Sequence, residues 1–366
     1  MTRSRAFDVV VIGAGAMGSA TAWQLARRGR SVLLLERFEP GHRNGSSHGG
    51  VRIFRHAYAD PHYVGLAARA LPMWREAEAD TGEQLVELNG AYDHGPQPAI
   101  EAIAAALDVH GIAYELLSPA LAHERVPGLR FDSHVLHHSL AGRCFADRTV
   151  AALQRRVAGL GGSVRYGSPA TLRVVGDHVE VDVGGDTVVA DRAVVTAGAW
   201  VAPLLADAGI VPPAVTITQE QVLHFAPRDV AAAWPSFIHH RAPWRYGLFT
   251  PGEGLKVGGH HEGAVTSPDE RSYELDDAKL RSIVEYVEEW VPGVVPVPQF
   301  GATCLYTTTA SEDFVLDRIG PVVVGSPCSG HGFKFAPLIG SMLADLATGA
   351  PVDDVVHPRH RVDRFR

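Results

Sequence analysis

The sequence predicts an α/β fold, a Rossmann-type nucleotide-binding domain with an inserted α+β domain built on an antiparallel sheet. Three observations predict it. Residues 8–18 run Asp-Val-Val-Val-Ile-Gly-Ala-Gly-Ala-Met-Gly, an aliphatic strand entering a glycine-rich turn. A helix-period segment over 17–28 and a second aliphatic run closing on Glu36 complete one βαβ unit. The strand-into-small-residue theme returns at 193–200 and 322–325, while 215–225 and 236–259 alternate in the manner of antiparallel strands.

The first three glycines have separate tasks. Gly13 permits the tight turn, Gly15 lets the backbone approach a pyrophosphate, and Gly18 lets the helix pack close to the strands. The helix N-terminus then presents unpaired N–H groups and a positive dipole end to the phosphates. Glu36 stands where it accepts hydrogen bonds from a ribose diol, which favours an adenosine without a 2′-phosphate. Its neighbour Arg37, counted with the cofactor residues, is the one feature that would suit such a phosphate. The motif alone does not separate FAD from NAD.

Residues 38–60 are rich in Gly, Ser, His and Arg, and include Ser46, His48, Arg52 and Arg55. A polar stretch of this length directly behind a nucleotide fold reads as a functional loop rather than a connector. Over 63–80, Leu66, Ala67, Ala70, Leu71 and Trp74 fall on one side of an amphipathic helix. From Gln84 the texture changes to short strands and turns, with a helix around 99–110 and a break at Ser118-Pro119. Asp147 is placed to N-cap a helix over 147–160 that Gly161-Gly162 stops. Short runs at 171–175, 178–183 and 187–189, separated by Gly-Asp turns, read as a β-meander. Residues 275–290 form a helix with Asp276 or Asp277 in its first turn, and a last helix ends at 346.

The nucleotide domain is therefore expected in three pieces, 1–84, 142–225 and 318–366, and the second domain in two, 85–141 and 226–317. Simple NAD dehydrogenases rarely need this arrangement. FAD-binding enzymes of the glutathione-reductase-like class commonly have it.

A chain of 366 residues, 46% of them hydrophobic, has ample material for a sizeable core and two or so domains. Its net charge of −8 argues against a nucleic-acid partner, and the basic stretch 357–366 reads as a solvated terminus. Cys144, Cys304 and Cys328 lie far apart with no C-x-x-C, so reduced thiols in a cytoplasmic protein fit best. Residues 1–7 lack the apolar core of a signal peptide, and no apolar run approaches a membrane span. The doublets His137-His138, His239-His240 and His260-His261 are set aside as metal ligands, because adjacent strand residues point to opposite faces and no third ligand is suitably spaced.

Five stretches carry a family likeness: 11–18; 45–58 with its core Arg52-Ile53-Phe54-Arg55-His56-Ala57-Tyr58; 246–260 with Gly254-Leu255-Lys256; Cys304-Leu305-Tyr306-Thr307; and Ser329-Gly330-His331-Gly332-Phe333-Lys334-Phe335. In these the chain resembles the monomeric sarcosine oxidase and N-methyltryptophan oxidase group of the D-amino-acid-oxidase-like flavoenzymes. The resemblance implies FAD joined by a thioether from Cys304 to the 8α carbon of the flavin, in a monomer. It implies that Ser46, His48 and Gly332 belong to the cofactor site and that Arg55 and Lys334 hold a substrate carboxylate, the first as paired donors and the second as a point charge.

Arg52 is implied beside the flavin ring, Lys256 at the face where oxygen reacts, and His260, Tyr246 and Tyr306 around the substrate. A cation at the oxygen face lowers the cost of forming superoxide. Without the resemblance, Cys304 reads as a small buried hydrophobe and Lys256 as an edge or surface residue.

The implied activity is oxidation of the C–N bond of a secondary amine that carries a carboxylate, with O₂ as acceptor and H₂O₂ as product. The chain departs from the pattern at Ser47-His48, where the family has two histidines, over 246–256, which is one residue shorter, and in the polar content of 237–241. These stretches lie near the substrate. Sarcosine, a bulkier N-methyl amino acid and a cyclic imino acid such as pipecolate or proline all remain open, as does a dehydrogenase that passes electrons to a partner instead of O₂.

Overall fold

The computed structural model describes residues 3–230 and 234–366. Met1 and Thr2, part of the stretch read for a leader, and residues 231–233, within the second pass through the inserted domain, lie outside the described residues.

Eight strands form the first sheet. Its centre is parallel: Arg3–Ile12 lies between Asp186–Val195 and Val32–Leu35, Ser163–Arg165 follows on one side, and Val322–Ser326 pairs with Asp186–Val195 on the other. Val9, Val10, Val11, Val32, Leu33, Leu34 and Leu35 are all buried, as continuous aliphatic runs must be in a sheet covered on both faces. Helices Ala16–Arg27, Ala146–Gly159 and Ala336–Ala347 cover one face. Gly340 lets the first and last of these meet, since a Cβ there would lie 2.6 Å from the Ala20 backbone. The antiparallel hairpin Ala170–Val175 and His178–Val183 helps cover the other face, with Leu172, Val179 and Val181 packing on Val10 and Leu33.

Two local expectations differ. The third meander run and the second glycine-turn strand are one strand, Asp186–Val195, because the polar pair Asp191-Arg192 interrupts the hydrophobic pattern without ending the ladder. Asp147 is not the N-cap of its helix: Phe145 is, and the Asp147 carboxylate accepts the Gly49 N–H at 2.8 Å, tying the helix to the 38–60 loop. The Asp276 cap is present, accepting from the Lys279 N–H.

The second sheet has nine strands and is antiparallel except where Ser236–His239 runs parallel to Ala91–Gly95. Thr216–Pro227 sits between Gly254–Gly259 and Val294–Thr308, so residues 216–225 are part of this sheet. Helix Asp277–Trp290 packs on it through Ile283 and Val287. A small third sheet, Val51–Phe54, Gly142–Phe145 and Val86–Leu88, was not foreseen. It places part of the 38–60 loop in a ladder between Arg52 and Cys144. Among the described residues, no helix is long and apolar enough to cross a membrane.

Candidate active site

A cavity of about 1600 Å³ runs from the ends of the parallel strands to the antiparallel sheet. Every site residue singled out in the sequence lines it except Gly18. Gly18 serves packing instead, since a Cβ there would lie 1.8 Å from the Gly13 carbonyl oxygen.

At one end stands the glycine turn. Gly13 has φ 101°, and a Cβ on it would meet the Thr196 carbonyl at 2.6 Å, so any larger residue is both strained and blocked. Gly15 is the N-cap of helix Ala16–Arg27 and offers no side-chain cap. The helix N-terminus therefore opens on the cavity, with Ser47 Oγ accepting the Ala16 N–H at 3.0 Å. Glu36 is 7% exposed and accepts N–H groups from Ala14 at 3.0 Å and Phe38 at 3.1 Å. Burial alone would raise its carboxyl, but the His42 ring and these N–H groups outweigh burial and hold it below the usual carboxylate range. Arg37 is engaged by Asp269 at 3.1 Å and lies over the Phe38 and Trp200 rings.

The 38–60 loop forms the middle of the wall. Arg52 donates to the carbonyls of Val51, Ser46 and His48, at 2.9, 2.9 and 2.7 Å, and braces the loop from inside. Ser46 Oγ donates to the Leu305 carbonyl at 2.6 Å, which fastens the loop to the strand carrying Cys304. His48 is pushed down to about 3 by burial and by the Arg52, Arg271, Arg43 and Lys256 charges, and its buried Nε2 has no partner. It is a neutral ring with an unspent polar atom at the cavity wall.

Lys256 was expected at an edge or surface if read from local pattern alone. It lies on Gly254–Gly259, paired on both sides, is 6% exposed, and donates to the Val51 carbonyl at 2.6 Å. Burial, helped by the Arg52 charge, lowers it to about 7. Cys304 is half-buried, and burial raises its thiol against the lowering influence of Arg52, Lys256 and Arg271. Cys144 is core, whereas Cys328 also lines the cavity.

At the far end Arg55 and Lys334 converge on Tyr58. The Arg55 guanidinium lies 4.5 Å from the Tyr58 ring centre, and Lys334 donates to the Tyr58 hydroxyl at 2.8 Å and to the His331 carbonyl at 2.7 Å. Burial and the Arg55 charge hold Lys334 well below its ordinary value. Tyr246 and Tyr306 are phenols raised by burial, and His260 is pushed down to about 3 by burial and by His261. Gly330 makes room for Tyr306, whose ring a Cβ would meet at 2.3 Å, and Gly332 has its own Cβ position 1.7 Å from the Pro327 carbonyl.

Sequence reasoning missed Asp93. It is fully buried, accepts from Arg55 Nη1 at 3.2 Å and His240 Nε2 at 2.8 Å on one oxygen, and has the His138 ring 3.6 Å from the other. Burial opposes ionisation, but His138, His240 and Arg55 hold the carboxyl well below the usual range. The only signal was an acid inside a strand-like run. Arg271 was missed too: it is 5% exposed, donating to Thr303, Arg43 and Asn44 carbonyls beside Cys304.

The ground for dismissing His260-His261 does not hold. The strand ends at Gly259 and His261 turns left-handed with φ 57°, so the two rings lie 4.1 Å apart instead of on opposite faces.

The residues present fit FAD: a helix N-terminus whose own N-cap residue has no side chain, behind a blocked glycine turn, an ionised acid one strand away, and an orphaned polar atom on His48 farther along one elongated cavity. Comparison with known proteins agrees. Residues 8–346 match the family described as FAD dependent oxidoreductase, DAO. The chain is 32% identical over 364 residues to monomeric sarcosine oxidase from Bacillus sp. (strain NS-129), covering 93% of each protein. It is 30% identical over 363 residues to N-methyl-L-tryptophan oxidase from Yersinia pestis (strain Pestoides F), covering 94% of this chain and 96% of the relative. The open form of NikD, an unusual amino acid oxidase essential for nikkomycin biosynthesis, superposes with a TM-score of 0.85 at 27% identity, over 94% of this chain and 95% of that one.

Proposed function

The chain belongs to the DAO family of FAD dependent oxidoreductases, and from that premise we propose that it oxidises the C–N bond of a secondary amino acid, sarcosine or another N-methyl amino acid, with O₂ as acceptor. The observation that carries this reading is the meeting of Arg55 and Lys334 on Tyr58, in the same cavity as the nucleotide fingerprint. Arg55 is braced from behind by Asp93 and, with Lys334, suits a carboxylate, the guanidinium giving paired donors and the ammonium a point charge.

Bound FAD would supply the redox chemistry, as acceptor for the hydride equivalent from the carbon beside nitrogen and as the group through which O₂ would be reduced to H₂O₂. The chain supplies binding, orientation and charge. Arg55 and Lys334 hold the carboxylate end, so the amine end is directed among Tyr246, Tyr306 and His260. These side chains are neutral at working pH and favour the uncharged amine, the form that can give up a hydride; the imine product then hydrolyses. Lys256, a buried ammonium that is half neutral near pH 7, provides positive charge where oxygen is reduced. Glu36 receives the ribose diol, with Arg37 beside it, while Ser46, His48, Arg52 and Gly332 shape the flavin site.

The flavin is attached through Cys304. A half-buried thiol on the cavity wall, held between the Ser46–Leu305 and Arg271–Thr303 hydrogen bonds and near two cations, supports this. After acid precipitation of purified protein, yellow colour is expected in the pellet with the intact mass raised by one FAD. Colour released to the supernatant removes Cys304 from that role. With N-methyl amino acids, one H₂O₂ per amine oxidised is expected; rapid flavin bleaching without peroxide would assign the electrons to a partner protein.

A further inference from the structure

We propose that His260, His261 and Glu312 form a divalent-cation site, suited to Zn²⁺, at the rim of the substrate cavity. One ligand atom from each lies within 4.8 Å of the others. The closest pair, His261 Nε2 and Glu312 Oε1, is 3.5 Å apart. Ligands on a tetrahedral zinc with bonds of 2.0–2.1 Å stand about 3.3 Å apart, so this edge is nearly formed. Two imidazoles and a carboxylate are a donor set that zinc accepts, with the fourth position open.

The fold brings the three together on purpose-shaped backbone. Gly254–Gly259 and Val294–Thr308 both pair antiparallel with Thr216–Pro227, so their C-terminal ends emerge on the same side of the sheet. The ligands follow those ends. His261 and Glu312, at φ 57° and 61°, are two of the four non-glycine residues with left-handed backbone among those described. Such conformations persist where the surroundings over-determine them, and they concentrate at functional sites.

His260 stands beside the His261–Glu312 pair, its ring 4.1 Å from that of His261 and 5.8 Å from that of Tyr306, half-buried at the cavity wall. Glu220 reinforces the site electrically through His261, whereas Arg55 and Lys334 act against it through His260. The affinity is therefore that of a reversible site rather than a permanent structural one. Both His260 and Glu312 line the cavity, and the Glu312 side chain is 54% exposed, so the cluster spans from wall to exterior. A cation there stands beside Tyr306 and obstructs the route to the substrate pocket.

The test is calorimetric titration of EDTA-dialysed holoenzyme with zinc sulfate, alongside turnover with zinc and after EDTA. One zinc per chain is expected, with affinity falling about tenfold or more in His261→Gln and Glu312→Gln. Turnover should fall with zinc, recover with EDTA, and become less zinc-sensitive in both variants, each measured against its own zinc-free rate. Cobalt substitution provides a visible spectrum for the same site should a variant fail to fold. No zinc bound at millimolar concentration, or an affinity unchanged by both substitutions, overturns the site, and binding that leaves turnover untouched overturns the obstruction. Calorimetry needs no substrate, so a failure of the amine-oxidase reading appears separately, as absent turnover in zinc-free enzyme.

Discussion

At the scale of the residue, charge and burial decide what each group can do. Lys256 carries its proton below about pH 7 and loses it above. Flavin reoxidation by O₂ should therefore slow as pH rises through 7, while flavin reduction by the amine speeds up because more amine is neutral. Stopped-flow measurement of the two half-reactions separates them. In Lys256→Met, reoxidation should slow by roughly 10²-fold and lose its pH dependence. Arg55→Lys should raise KM by roughly tenfold or more with a smaller effect on kcat, because losing paired charge-assisted bonds costs about 1.5–3 kcal/mol. Asp93→Asn should lower stability by about 1–3 kcal/mol in a urea titration, since half-buried Arg55 loses its anion and the buried His240 ring its carboxylate partner. Arg55, Lys334 and Cys304 stand out in the sequence because they sit in short motifs, and all three line the cavity. Asp93 does not stand out: its partners are 38 and 147 residues away, and nothing local marks an acid as buried.

At the scale of the element, the glycine turn and the helix behind it are one device. Gly13→Ala drives a Cβ into the Thr196 carbonyl at a backbone angle that alanine resists. Purified protein of that variant should hold less than about a tenth of the FAD of the wild type, because the displaced turn no longer admits the pyrophosphate, measured by absorbance against protein. Elements with strong periodicity were legible: the first strand, its helix, and the helices Pro61–Thr81 and Asp277–Trp290 all appear, displaced by only a few residues. The strand Val51–Phe54 was hidden in a glycine-rich loop, because its ladder partner, Gly142–Phe145, lies about ninety residues on. A strand of four residues is defined by its partner more than by its own composition.

At the scale of the whole molecule, several buried histidines oppose protonation together. His48 and His260 are pushed down to about 3, and His56, His224 and His239 to about 4, chiefly by burial. The unfolded rings take protons near pH 6.5, so below that value the unfolded state binds more protons and stability falls, levelling off once the folded rings titrate. The urea midpoint should be lower at pH 5 than at pH 7. The sequence by itself determined the α/β class, the nucleotide turn and, Gly18 apart, a set of residues that all line one cavity, because these depend on local periodicity, glycine stereochemistry and short motifs. Only the tertiary structure decided that Lys256 is buried between two strands and close to neutrality, that Asp93 and His240 stand behind Arg55, and that His260, His261 and Glu312 converge. The physical reason is common to all three. Desolvation and charge pairing depend on which distant segments are brought within a few ångströms, and that is a property of the packed sheets rather than of any stretch of chain.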